Sequence, residues 1–362
     1  MRIGVINAGV ACQRVTSLDE RHFPGSHFSR RMRFKAALRL EKVPELVSIS
    51  NVLAKYHRQV ILHLTPPADD RIEFIVSSTG HRDGLVGRDR ERDGDLLAVW
   101  ASLEKMAWFS SYQLESKAQD HIALQLEPTS LSGALRSALR GQLVQLRLRR
   151  KLGAVLSLEI ALHDSTVPEW DIIQDVAVEV LPPARLQELR EPPVTAGARG
   201  VVLSCPERLH AAAKRLRALH RYSITEMEPL CAHLSIEVKR ETSSTARLRL
   251  SVPTTTIRVG LTFTELKLAY VEGECPDAPP GSAAAPGHAD DNNSSAAAVH
   301  HLISAKIPVG ALANALEARL VHPQQTFCFV LTDFVLLHFA GEEFEFSCYV
   351  PRYEEDETLD RL

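Results

Sequence analysis

The 362-residue chain has no run of 18 apolar residues, so no membrane span is expected. Its six cysteines (Cys12, Cys205, Cys231, Cys275, Cys328 and Cys348) include no CxxC pair. Their scattered spacing fits neither a zinc site nor a disulfide framework, and suits small buried hydrophobes in a reducing compartment. No phosphate loop is present. "MRIGVINAGVA" at the start lacks GxGxxG and no βα crossover follows it, and "GHRDGLVGRDR" (80–90) lacks the GKS or GKT ending. There is no GxSxG elbow, no HExxH and no acid pair placed by a recognisable motif, so a catalytic reading finds no support. His288, His300, His301 and Cys275 are irregularly spaced in or beside a segment without hydrophobic periodicity, so neither a metal nor a cofactor is expected. Residues 1–31 lack the apolar core of a signal peptide, and Asp19 and Glu20 count against a transit peptide. They are expected to be a poorly ordered tail, with Met32 a second candidate translation start.

What is present is a pattern that occurs twice. "RFKAAL" (33–38) alternates as a strand, and "KVPELVSISNVLAKYH" (42–57) has helical periodicity. Strands are expected at 59–65, 71–77, 96–103, 109–115 and 121–127. A second helix, "TSLSGALRSALRG" (129–141), has Thr129 or Ser130 as its N-cap and Gly141 as its stop. Strands at 143–149 and 154–162 follow. From "VAVEVL" (176–181) the scheme repeats: "VVLSC" (201–205), a helix from 208 to 222, strands at 222–228, 233–239, 246–252 and 256–263, then "HHLISAKI" (300–307). A fourth helix, "VGALANALEARLV" (309–321), and three strands over 326–350 end it. Short turns between neighbouring strands predict antiparallel sheets, each with one face covered by helices: an α+β chain of two similar domains. The expected division is a tail (1–31), a first domain (32–162) with a charged loop at 78–95, and a connector at 163–175. A second domain (176–352) follows, with a disordered insertion at 272–297, and then an acidic tail (353–362). Glu159 and Glu237 fall at alternate strand positions read as solvent-facing.

Charge is balanced overall, at −3, but not evenly spread. "RLHAAAKRLRALHRY" (208–222) contains no acid, and at about 100° per residue His210, Lys214, Arg217 and Arg221 share one face of the helix. Leu209, Ala212, Leu216 and Leu219 lie on the other side, as a core stripe. From Pro128 to Ser157 there is again no acid, and Arg136 and Arg140 sit one turn apart on the second helix. Lys55 and Arg58 share a polar face with Asn51 at the end of the first. The fourth helix differs, with Asn314 and Glu317 on its outer face and Arg319 bordering its leucines. Basic groups on helices and acids in loops and tail suit contact with a polyanion on one side. No aromatics are interleaved with the basic residues, which argues against base stacking and direct base readout. Contact would be with phosphates: sequence-independent and salt-sensitive.

In this order of elements the chain resembles the Hus-one family, a subunit of the DNA-damage checkpoint clamp and a relative of the proliferating-cell nuclear antigen. The stretches that carry the likeness are "MRFKAALRLEKVPELVSISNVLAKYHRQVILHL" (32–64), "WFSSYQLES" (108–116), "IALQLEPTSLSGALRSAL" (122–139), "VAVEVLPPARLQELREPPV" (176–194) and "FSCYVPRYE" (346–354). The likeness is broad and has no single diagnostic motif. It implies a DNA-clamp fold of two domains, with helices toward a central hole and sheets outward. It also implies a non-enzymatic subunit of a heterotrimeric ring with two paralogous partners, loaded on double-stranded DNA by a separate ATP-dependent loader in the nucleus. By position the channel-facing residues would be Lys55, Arg58, Arg136, Arg140, His210, Lys214, Arg217 and Arg221. Repair and checkpoint proteins would dock at the connector, where Val167, Trp170, Ile172 and Ile173 are apolar among acids. The alternatives are a homotrimeric replication clamp and, from another class, a DNA-processing enzyme.

Overall fold

The computed structural model describes residues 3–5, 32–76, 97–116, 119–163, 171–223, 233–242, 244–253, 258–271 and 302–353. The expected loop at 78–95, the insertion at 272–297 and the acidic tail beyond Tyr353 lie outside the described residues. Strand β1 (Ile3–Val5) pairs antiparallel with residues 269–271, so this part of the N-terminal segment is a strand and not a poorly ordered tail; residues 6–31 lie outside the described set.

The first half runs β2 (Arg33–Leu38), α1 (Val43–Tyr56), β3 (Val60–Leu64), β4 (Arg71–Val76), β5 (Ala98–Glu104), the short α2 (Lys105–Trp108), β6 (Phe109–Glu115) and β7 (Ile122–Leu126). It continues with α3 (Pro128–Ser137), β8 (Leu143–Arg150), β9 (Ala154–Ala161) and β10 (Ile172–Val180). The segment over 181–198, with one short helix α4 (Pro183–Glu188), then crosses to the second half. There follow β11 (Arg199–Val202), α5 (Pro206–Ser223), β12 (His233–Arg240), β13 (Thr245–Pro253), β14 (Arg258–Val271) and β15 (Leu302–Pro308). The chain ends with α6 (Val309–Ala315) continued as a 3-10 turn over Leu316–Val321, β16 (Gln325–Val330), β17 (Phe334–Ala340) and β18 (Phe344–Pro351).

The pairings repeat between halves. In the first, β2 lies between β6 and β8, with β9 and β10 beyond, and β3 lies between β4 and β7, with β5 outside β4. In the second, β11 lies between β14 and β16, with β17 and β18 beyond, and β12 lies between β13 and β15. The single strand β14 does the work of β5 and β6: it pairs with β13 over its first part and with β11 over its last. It changes sheet at Glu265, whose φ of 59° is left-handed. The halves join where β18 pairs with β5, Phe344 opposite Leu103 through Tyr349 opposite Ala98.

This pairing moves the crossing point. "VAVEVL" and the residues before it form β10, which pairs with β9 (Ile172 opposite Ile160) and then with β7 (Val178 opposite Leu126). It is the last strand of the first half, not the first of the second, and the apolar-polar alternation is the same for either. Ile172 and Ile173 are therefore strand residues rather than a connector between halves; Val167 and Trp170 lie outside the described residues. Tyr222 and Ser223, expected in a strand, extend α5. The second helix begins one residue early, with Pro128 in its first turn and Glu127 as N-cap; Ser130 sits inside it and donates to the Glu127 carboxylate at 2.9 Å.

Strand side chains alternate between two cores. Ile72, Phe74 and Val76, Val99, Ala101 and Leu103, and Phe346, Cys348 and Val350 face the helices. Ile75, Trp100, Phe327, Phe329, Leu336 and Tyr349 face the opposite side, against Leu189, Val194 and Ala198 of the crossing segment. Cys328 and Cys348 are buried in the main core as expected, whereas Cys205, just before α5, is exposed. Alternation misleads at Glu159. It occupies the outward row of β9 yet is 0% exposed, because Arg147 (3.3 Å) and Arg149 from β8 close over it as ion-pair partners.

Candidate nucleic-acid interface

Four helical segments form one row on the side of the sheets away from the crossing segment. The row runs α3, α1, the α6 turn and α5, with α3 packed on α1, α1 on the 316–321 turn and α5 on α6. Each buries an apolar stripe: Leu46, Ile49 and Leu53 on α1, Leu131 and Leu135 on α3, Leu209, Ala212 and Leu216 on α5, and Leu312 and Leu316 on α6. The opposite faces carry the cations. Lys55, Arg136 and Lys214 are exposed and Arg217 is half-buried; Arg140 is exposed in the 3-10 turn after α3, and Arg58, expected on the first helix, lies past its end at Tyr56 in the exposed link to β3. Arg221 lies on α5 by its backbone, and its side chain is outside the described set.

The halves place their helices in matching registers. Counted from the first helical residue, Ala134 of α3 matches Ala315, Leu135 matches Leu316, and Arg136 matches Glu317. Aligning the buried Leu46, Ser50 and Leu53 of α1 with Leu209, Ala213 and Leu216 of α5 sets Asn51 opposite Lys214, Lys55 opposite Ala218, and Tyr56 opposite Leu219. The same two positions touch in each half with different chemistry. In the first, Asn51 Oδ1 accepts from Ser132 Oγ at 2.7 Å and from Arg136 at 3.2 Å. In the second, Lys214 and Glu317 form an ion pair at 3.3 Å.

Glu317 is the centre of this face. Lys55 of the first half donates to Oε2 at 2.8 Å, His210 Nε2 lies 2.9 Å from Oε1, and Arg319 Nη1 is 3.5 Å from Oε2. Burial alone would raise its pKa, but hydrogen bonds from Lys55 and Lys214 outweigh that and hold it at about 2. His210 does not join the exposed cations. It is 4% exposed, turned into the helix layer against Glu317, and its pKa is lowered by burial first and then by Arg319 and Lys214. The helical wheel placed it on the basic face correctly, but α6 packs over that part of the face. Arg58 lies close enough to Glu127, at the start of α3, to lower the pKa of that carboxyl, behind hydrogen bonds from Ser130 and Thr129.

Two groups of residues escaped the sequence reading. Glu317 was visible only as an acid on an otherwise disappointing helix; nothing local shows that three cations converge on it. The crossing segment has its signal in the flanking prolines of "LPPARLQELREPPV" (181–194), which suit extended chain rather than helix or sheet interior. It is tied down where Tyr349 Oη donates to Glu191 at 2.6 Å, with Tyr349 edge-on to Trp100 and Phe334.

A doubled unit of antiparallel sheets backed on one side by two helices is the DNA-clamp fold. The chain superposes with TM-score 0.52 on the proliferating-cell nuclear antigen of Thermococcus kodakaraensis (14% identity, 88% of this chain, 100% of that one). Against that of Entamoeba histolytica the TM-score is 0.51 (12% identity, 89% and 99%). Checkpoint protein HUS1 of Homo sapiens is 22% identical over 309 residues, covering 84% of this chain and 92% of the human protein. The family model described as Hus1-like protein matches residues 32–354, and the chain belongs to that family.

Proposed function

We propose that the chain is a non-enzymatic subunit of a heterotrimeric checkpoint sliding clamp that encircles DNA in the nucleus. In this reading two paralogous clamp chains complete the ring, an ATP-dependent loader places it on the duplex, and repair and checkpoint proteins dock on its outer side. The observation that carries the reading is the row of four helices with exposed cations on the side away from the sheets, in a fold that leaves two strand edges open. β5 and β18 satisfy each other inside the chain. Their counterparts, the first part of β14 and residues 172–177 of β10, each pair on one side only among the described residues. A clamp ring closes by repeating the internal contact between chains, head to tail.

Lys55, Arg58, Arg136, Arg140, Lys214, Arg217 and Arg221 are the proposed phosphate contacts; His210 is withdrawn from the set because it is buried. Outer-side docking is assigned to the segment around Leu189, Glu191 and Val194, over Tyr349 and Trp100, in place of Val167, Trp170, Ile172 and Ile173. The test has two arms. Tandem purification of the chain from cells is expected to bring down two other clamp-fold chains. Replacing Lys214, Arg217 and Arg221 with Glu is expected to weaken retention on circular DNA while leaving that assembly intact. The salt slope of retention should flatten by about 0.9 per lost contact. A stable ring of this chain alone, or retention untouched by the triple change, removes the proposal.

A further inference from the structure

The internal junction is a template for the open one, and this inference rests on the ring reading above. Inside the chain, the helix side of the β5–β18 joint is made by α1 and the end of α6. Val52 and Tyr56 are buried there, Tyr56 Oη donates to the Ala315 carbonyl at 3.2 Å, and Lys55 donates to Glu317 at 2.8 Å. A cation from the first helix of one unit meets a carboxylate at the end of the second helix of the next.

At the open β10 edge the second helix is α3, which packs on β10, and the residue in the place of Glu317 is Arg136. Arg140, one turn on, stands where α6 has Val321. If a second copy of this chain docked there, it would bring α5. Arg215 would take the place of Val52, Ala218 that of Lys55, and Leu219 that of Tyr56, with Lys214 and Arg217 alongside. Leu219 is 44% exposed although its counterpart Tyr56 is 6% exposed, as expected for a residue that only a neighbour covers. The apolar part of the contact is therefore suitable for a clamp-fold neighbour, but the charges are not suitable for this one. Arg136 and Arg140 would face Arg215, while Lys214 is held by Glu317 of its own chain at 3.3 Å, and like charges brought together across an interface disfavour it.

We infer that the α3 end of this chain rejects a second copy and accepts a clamp-fold partner whose facing helix carries a carboxylate near the position that Lys55 holds in the internal junction. Arg136 and Arg140 thus select the neighbour on one side of the ring, in the way that Glu317 selects Lys55 within the chain.

The test is the association state of the purified full-length chain by sedimentation velocity at low and high salt. The unaltered chain is expected to stay monomeric. Arg136→Glu with Arg140→Glu is expected to self-associate at least about tenfold more tightly at low salt, and to lose that gain at high salt or when Arg215→Glu is added. The milder Arg136→Gln with Arg140→Gln should lie between, and supplies the reading if the double reversal does not fold. Self-trimerisation of the unaltered chain overturns the inference, as does a low-salt association unchanged in both altered forms. If the unaltered chain assembles with two other clamp-fold chains while the altered forms show no gain, only the charge selection falls. If it assembles with none, the ring reading falls first.

Discussion

The two helix pairs of this molecule occupy equivalent places and solve the same problem differently. In the first half, α1 and α3 are linked by a neutral acceptor, Asn51, that takes one bond from Ser132 and one from Arg136. In the second, α5 and α6 are linked by a carboxylate, Glu317, that takes Lys214, His210, Arg319 and, from across the domain junction, Lys55. The first arrangement leaves its arginine largely free in solvent. The second places an acid in the middle of the basic face and commits the cations around it to fixed positions. The two halves therefore share the apolar stripes, where packing volume is at stake, and differ in the polar link. One half shows solvent-exposed positive charge on its helix face, and the other shows charge held on a scaffold.

The largest expected effect comes from removing that scaffold. Glu317→Ala leaves Lys55, Lys214 and Arg319 converging without a counter-charge and takes away the hydrogen-bond partner of His210, and about 3 kcal/mol of unfolding free energy should be lost in urea titration near neutral pH. Glu317→Gln keeps the size and some hydrogen bonds and should cost about 2 kcal/mol. The second variant also has a pH signature. A carboxyl held at about 2 in the folded chain against its ordinary 4.5 stabilises fully above 4.5 and progressively less as pH falls toward 2. The stability gap between the parent and Glu317→Gln should therefore be constant above pH 6.5, widen slightly from there to 4.5 because His210 loses the carboxylate that raises its pKa, and shrink below 4.5. A gap that stays constant to the lowest pH at which the fold survives would mean that the carboxylate charge is not what joins the two halves.

Much of this was legible in the residues, and the misses have physical causes. The helix at 42–57 stands within a residue of where periodicity put it, because it has a long one-sided apolar pattern; the strand at 109–115 also stands where it was expected, although only Phe109 and Leu114 of it are buried. The ownership of β10 was not legible, since alternation reports which face a strand buries and not which neighbour it pairs with. Glu159 failed for a related reason: an outward position is solvated only if nothing folds over it, and Arg147 and Arg149 do so from the next strand. His210 shows the same limit on a helix. Its wheel position is correct, and a helix more than ninety residues away in sequence buries it. Charge sorting was readable from the chain; convergence of charge on Glu317 needed coordinates.

On the first-half side of the comparison, Asn51→Ala removes an acceptor that Ser132 and Arg136 share. A loss of about 1 kcal/mol is expected, read from the shift in denaturant midpoint at unchanged slope. Because Ser132 is buried and its hydroxyl would lose its partner, most of that loss should come from Ser132 rather than from Arg136. Adding Ser132→Ala should recover part of it, and a double-mutant cycle in which the two changes are simply additive would mean that the bond contributes nothing.

The smallest effects compare the two basic residues directly. Lys214→Ala removes an exposed ion-pair partner of Glu317, and about 0.5 kcal/mol should be lost, since Lys55 and His210 still hold the carboxylate. Arg136→Ala removes a side chain whose hydrogen bond in the structure is at 3.2 Å to Asn51, on an exposed surface. A change within about 0.3 kcal/mol is expected, smaller than for Lys214 although the two links occupy equivalent places. This ordering is the sharpest form of the difference between the halves. If Arg136→Ala cost more than Lys214→Ala, the arginine would be part of the scaffold, and the first half would hold its charge as firmly as the second.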